Sequence, residues 1–406
     1  MQNVVFEEPY RFVPPHEGLW WPNFIQRFRF IDRYLRKNEG VVSYECRDEH
    51  LLAESLSTGH GILLTPNHAR PGDPIVMGFL TRRVHTHVFA MASWHLFKQD
   101  RFTAWAIHKM GGFSVYREGI DRRAINTSIK ILTDAARPLI IFPEGSVTRT
   151  NDRLHALLDG ISFIARTAAK QRARQDGGKV IVHPIAIKYL FQGNLEKTLD
   201  PMLSDIEHRL SWQPQNHHSL LRRIDRLGQA LLCLKEIQYF GSPQSGQLND
   251  RLDCLIDRLL GPIEEEWQVT SREGAVVPRV KALRMKILPA MVRGDIDDEE
   301  RDRRWGQLAD IYLAQQVSCY LADYLAERSS IDRLLETVER FEEDLTDELR
   351  PIQWLKVILQ VGEGIEVSPH RDRSAAVDPL MVRIEGDLQT MLDRLSLESP
   401  LYTPGD

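Results

Sequence analysis

The 406-residue sequence predicts an α/β fold whose mostly parallel central sheet is interrupted by a large all-helical insertion. Three observations carry this expectation. Between residues 60 and 190 short apolar runs alternate with amphipathic helical stretches, the pattern of a sheet built by strand–helix–strand crossovers. From about Asn194 to Arg350 the chain is helical throughout, with no strand candidate of similar quality. After that stretch a single β-branched run returns, and a lone strand needs a sheet to join.

Taken in order, residues 61–68 (GILLTPNH), 84–92 (VHTHVFAMA), 137–145 (RPLIIFPEG) and 179–189 (KVIVHPIAIKY) read as strands, three of them running into polar, Gly- or Pro-containing turns. Residues 121–136 and 154–173 repeat apolar side chains every three to four positions and read as helices. Functional groups in such sheets gather at the carboxyl ends of the strands. Residues 220–238, 248–267 and 297–327 are long helices, 354–367 is the late strand broken by Gly362 and Gly364, and 378–395 is a closing helix. The chain therefore divides into an N-terminal amphipathic, interfacial segment (1–54), the α/β domain (55–195), the helical insertion (196–351) and the closing strand and helix of the α/β domain (352–406). No internal repeat stands out.

Composition sets the class. Hydrophobic residues make up 42% and charged residues 27%, as in globular proteins, and no apolar run is long enough to cross a bilayer. Cys46, Cys233, Cys254 and Cys319 lie far apart, without metal-ligand spacing, and read as thiols in a reducing compartment. The N-terminus lacks the features of a signal peptide, so a cytoplasmic protein is expected. The net charge of −5 is uneven: residues 1–190 carry 26 basic and 18 acidic side chains, and the rest carry 26 and 39. A basic first half suits an anionic partner. A pI near 6.3 and the lack of a reading motif argue against nucleic acid.

Chemistry concentrates in three short segments. In TPNHARPGDP, His68 and Asp73 stand five apart around Pro71–Gly72, which forces a turn able to bring the carboxylate onto one imidazole nitrogen. That arrangement leaves the other nitrogen as a general base. The bland alternative is a loop histidine with Asp73 capping a helix. In IFPEGSVTR, the turn Pro143–Glu144–Gly145–Ser146 offers backbone amides to a phosphate or an oxyanion, and Arg149 follows. In GGFSVYREG, Gly111 and Gly112 permit close backbone approach and Arg117 follows a short strand.

The succession TPNHARPGD, GGFSVYR, FPEGSVTR and VHPIAI resembles the four sequence blocks of the glycerol-phosphate and lysophosphatidic acid acyltransferase family. Asn67, His68 and Asp73 match its Asn-His-x-x-x-x-Asp block; Gly111, Phe113, Val115 and Arg117 match the second block; Phe142–Ser146 match Phe-Pro-Glu-Gly-Thr/Ser; Val182 and Pro184 match the fourth. Gly362, Glu363 and Ile365 are similar to the family's closing strand, with Gly364 where a proline is usual. Val147 interrupts the position where many members place arginine, so only Arg149 is left to match it, and His183 reads as structural.

The resemblance implies an acyltransferase-type αβ domain that moves a fatty acyl group from an acyl thioester, on coenzyme A or a carrier protein, to the hydroxyl of a glycerol-phosphate-type acceptor, with lysophosphatidic acid the leading candidate. It implies His68 and Asp73 as catalytic residues and Asn67, Gly112, Arg117, Glu144, Gly145, Ser146 and Arg149 as substrate-binding residues, with no metal and no bound cofactor. The alternatives are the same architecture acting on a non-glycerolipid acceptor, or a silent lipid-binding scaffold. Residues 19–37 place Trp20, Trp21, Phe24, Ile25, Phe28, Ile31 and Leu35 at helical spacing among five basic residues, which suits peripheral binding to the inner face of a membrane.

Overall fold

The computed structural model describes residues 7–175, 178–269, 275–320, 323–348, 350–372, 374–375 and 377–403. The chain forms two compact units, one of Tyr10–Gln192 with Pro351–Glu398, the other built on Gly193–Arg350.

The first unit opens with α1 (Trp20–Arg27) and α2 (Phe30–Asn38). The single helix expected across 19–37 is divided because Arg29 adopts a left-handed backbone, φ 52°, which breaks the helical hydrogen-bond ladder. Next come β1 (Val41–Arg47) and α3 (Glu49–Ser57), so part of the segment expected to be interfacial is in fact a strand of the sheet. The chain continues through β2 (Gly61–Pro66), α4 (Asp73–Arg83), β3 (Phe89–Ser93), α5 (Leu96–Gln99), α6 (Arg101–Lys109), β4 (Gly112–Val115), α7 (Arg122–Asp134), β5 (Leu139–Ile140), α8 (Gly160–Gln175) and β6 (Val180–Phe191).

Among the described residues, the helices of the second unit that follow are α9 (Leu195–Arg209), α10 (Leu220–Phe240), α11 (Leu248–Glu266), α12 (Val276–Arg293), α13 (Asp298–Val317), α14 (Tyr324–Glu327) and α15 (Ile331–Thr346). The first unit is then completed by β7 (Leu355–Val361), β8 (Ile365–Glu366) and α16 (Pro379–Ser396).

Among the described residues the strands form one sheet in the order β1-β7-β6-β2-β5-β3-β4, with β8 also pairing β6. From β6 to β4 all neighbours are parallel; β7 is antiparallel to β6 and parallel to β1. The fold is thus α/β with a mostly parallel sheet, as the sequence predicts. One face packs on α7, α8 and α16 through Leu63, Phe113, Leu132, Ile164, Val182 and Ile384, all buried. Because β2, β5, β3 and β4 run the same way, the loops following them emerge along one edge.

In the helical unit consecutive helices are clamped by ion pairs. Arg223 grips Glu207 through Nε and Nη2 at 3.0 and 2.9 Å; Arg251 grips Glu236 at 2.8 and 2.8 Å; Arg279 grips Glu264 at 2.8 and 3.0 Å. Each arginine reaches with Nη1 to a third acceptor, Asp200, Gln229 or Asp257. The arginines are 28 residues apart, and each is followed at the same offsets by buried apolar residues: Ile224, Leu252 and Val280, then Leu227, Leu255 and Leu283, then Leu232, Leu260 and Leu288. An internal repeat is therefore present, contrary to the sequence expectation. Its fork geometry satisfies carboxylates that burial would otherwise make costly. Arg251→Lys keeps the charge but loses the second parallel hydrogen bond, and should lower stability by about 1–3 kcal/mol, read from urea unfolding.

Candidate active site

The site is assembled where β2 ends beside β6. Past Pro66, the Asn67 side chain donates from Nδ2 to the Ile187 carbonyl (3.1 Å) and accepts the Ile187 N–H on Oδ1 (2.7 Å). Asn151 repeats this two residues further along β6, at the carbonyl (2.6 Å) and N–H (2.9 Å) of Tyr189. One planar amide offers both a donor and an acceptor, so each asparagine stands in for a strand residue and prolongs the ladder. Asn67 was expected on the substrate; its buried amide is instead committed to β6.

The residue after this anchor is His68. The Pro71–Gly72 turn leads into α4, and Asp73, its first residue, folds back rather than capping the helix. Asp73 Oδ2 lies 2.9 Å from His68 Nδ1 and accepts the Arg70 N–H at 2.8 Å. Its Oδ1 accepts the Tyr189 hydroxyl at 2.6 Å, and the carboxylate is fully buried. With the ionised carboxylate accepting, Nδ1 carries the imidazole proton and Nε2 is the basic nitrogen. Nε2 makes no hydrogen bond among the described residues, and the His68 side chain retains 14% exposure.

The Phe142–Thr148 turn fixes the other side of the histidine. The Phe142 ring packs 4.2 Å from the imidazole, and the Thr148 N–H donates to the His68 carbonyl at 2.9 Å. Glu144, also expected on the substrate, is buried: Oε1 accepts the His68 N–H (2.7 Å) and Oε2 the His155 N–H (2.9 Å). Its work is to hold the histidine backbone. Gly145 has φ +70°, and a Cβ there would meet Leu158 Cδ1 at 2.4 Å, so the turn requires glycine. The Gly145 N–H is spent on the Phe142 carbonyl (3.2 Å), whereas the amides of Ser146 and Val147 have no partner among the described residues.

Burial raises the Glu144 carboxyl to about 7, with the Asp73 charge adding to the rise and the two N–H donors opposing it. A carboxyl lifted above its ordinary 4.5 binds its proton more tightly in the folded state. Its stabilising contribution is full below about pH 4.5 and lost as pH rises through about 7. Between those limits wild type should lose roughly 3 kcal/mol relative to the non-titrating Glu144→Gln, measured by urea unfolding across pH.

Three expected residues lie further out. Gly112 opens β4, where a Cβ would meet the Ile107 carbonyl oxygen at 2.7 Å; it serves the approach of α6 to the sheet. Arg117 occupies the turn between β4 and α7, three strands from β2, or roughly 14 Å at the usual strand spacing. Arg149 follows Thr148 in the loop after β5, with φ 60°. Arg117 and Arg149 belong to the edge that carries His68, whereas Gly112, at the start of β4, does not. His183 is buried, with Nδ1 at the Gly362 carbonyl and Nε2 at the Ser55 hydroxyl, a packing role.

Sequence reasoning missed Tyr189, Asn151 and the buried ion pair of Lys188 with Asp152. The one signal was a lysine and a tyrosine near the end of a strand that is apolar but for His183. Among the described residues no cluster of His, Cys, Asp or Glu could hold a metal ion. Residues 47–188 match the model of the Acyltransferase family, a segment that includes His68, Asp73 and Glu144. No curated protein matches the chain.

Proposed function

With an acyltransferase domain at residues 47–188 as the premise, we propose that the protein transfers a fatty acyl group from an acyl thioester to the hydroxyl of a glycerol-phosphate-type acceptor, lysophosphatidic acid first among them. The observation that carries this reading is the His68–Asp73 pair, with Nε2 unbonded at the sheet edge. His68 Nε2 takes the acceptor hydroxyl proton as that oxygen attacks the thioester carbonyl, and Asp73 balances the imidazolium. The tetrahedral intermediate then expels the thiolate, which recovers the proton from His68. The unpartnered amides of Ser146 and Val147 are the candidate donors to its oxyanion. Arg117 and Arg149, on the same edge, are assigned to the acceptor phosphate.

Access to acyl chains is assigned to an aromatic and cationic surface. Trp20 is 64% and Phe102 73% exposed, and Trp21 meets Trp105 edge-on at 4.8 Å, joining α1 to α6. Arg27, Arg29, Arg33, Arg36 and Lys37 surround α1 and α2. No described helix is long and apolar enough to cross a membrane, so this reading is of peripheral contact. The test is thiol release from long-chain acyl-coenzyme A, and from acyl carrier protein, with and without lysophosphatidic acid. Acceptor-dependent release supports the reading. Release only with other hydroxyl acceptors moves the assignment to a non-glycerolipid substrate.

A further inference from the structure

We propose that Tyr189 is a positioning residue for the acyl-transfer base, fixing the Asp73 carboxylate so that His68 keeps its proton on Nδ1 and its lone pair on Nε2. The inference deepens the acyltransferase reading and rests on it for its kinetic part. Its ground is the filled coordination of one buried carboxylate. Asp73 has no solvent exposure, so water does not complete its shell. Oδ2 is shared by His68 Nδ1 and the Arg70 N–H, and the Tyr189 hydroxyl holds Oδ1 at 2.6 Å.

The phenol is well placed to be a permanent donor. Burial and the neighbouring Asp73 charge push it well above the ordinary tyrosine range, so it stays protonated at working pH. Its ring is held by the Arg70 guanidinium, 5.3 Å from the centroid, and its backbone is pinned on both polar atoms by Asn151. The other charged groups facing this cluster are Glu39, whose carboxylate lies near Gly72, and Glu144 beneath the His68 amide. A hydrogen bond on Oδ1 prevents the carboxylate from rotating away from the imidazole. With the carboxylate held at this angle against Nδ1, the proton taken from substrate stays on the imidazolium, ready for the leaving thiolate.

Tyr189→Phe keeps the ring beneath Arg70 and removes only the hydroxyl. Selective ¹⁵N-histidine NMR, with the His68 signals identified by their loss in His68→Gln, reads which nitrogen carries the proton. We expect wild type to show a single Nδ1–H form and Tyr189→Phe a mixed population. Turnover in the variant should fall about 10–100-fold at unchanged KM, the range for a lost hydrogen bond to a charged group. In an Asp73→Asn background the same substitution should change kcat less than about twofold, because the hydroxyl acts through the carboxylate. An unaltered tautomer in Tyr189→Phe overturns the proposal, as does an equal loss of turnover with and without Asp73. If wild type transfers no acyl group, the functional reading fails, and the NMR comparison still decides what Tyr189 does.

Discussion

Replacing His68 with alanine should lower acyl-transfer turnover by about 10²–10⁴-fold while leaving the unfolding midpoint close to wild type. The asymmetry follows from the position of the side chain. Its structural contacts are the Asp73 hydrogen bond and the Phe142 ring. The His68 backbone, by contrast, is held by Glu144 and Thr148 and does not depend on the imidazole. Removing the ring leaves Asp73 still bonded to Arg70 and Tyr189, so the buried carboxylate keeps two of its three donors. Thiol release measured beside a urea titration separates the two effects. Near-normal turnover in His68→Ala would remove the proposed mechanism, and unfolding of the variant would show that the imidazole is a keystone of the loop.

Lys188→Met should produce the largest loss of stability, about 3–5 kcal/mol. Lys188 and Asp152 are hydrogen-bonded to each other with both side chains fully buried. Taking away the cation removes the counter-charge of a carboxylate in the interior, whereas removing both charges leaves no such imbalance. The double variant Lys188→Met/Asp152→Leu should therefore recover most of the loss. Activity should follow the same order. The neighbour of Asp152, Asn151, pins the loop to β6, and Thr148 in that loop holds the His68 carbonyl. Urea midpoints for the single and double variants check this, and a single variant as stable as wild type would show that the pair is dispensable.

The sequence made the His68–Asp73 turn legible because everything that forms it is local: five residues, a Pro–Gly bend and a strand before it. The parallel sheet was legible from its apolar runs. Residues that act through a distant partner were not. Asn67 and Glu144 stand where expected, yet their side chains serve Ile187 and the His68 and His155 amides, partners that no local pattern names. Tyr189 was hidden because β6 is buried on both faces and has no polar–apolar alternation to mark which residue faces the site. The helical repeat was masked in another way. Its third acceptors vary among Asp200, Gln229 and Asp257, and buried arginines look like surface arginines until their carboxylates are found. The break in the N-terminal helix has no glycine or proline to announce it, since Arg29 itself takes the left-handed turn.

The position of β7 fixes an order of events during synthesis. It lies between β1 and β6 and pairs with both, yet it is made roughly 160 residues after β6. At about 5–20 residues per second, one edge of β6 waits about 10–30 s for β7, and β1, made earlier, waits longer still. During that interval the nascent sheet exposes open backbone groups, a template for mispairing. A chain stopped at Arg350 would remain in that state permanently. Such a fragment would retain His68 and Asp73 but leave β1 with no strand beside it, and it should be recovered as aggregate rather than as a smaller working enzyme.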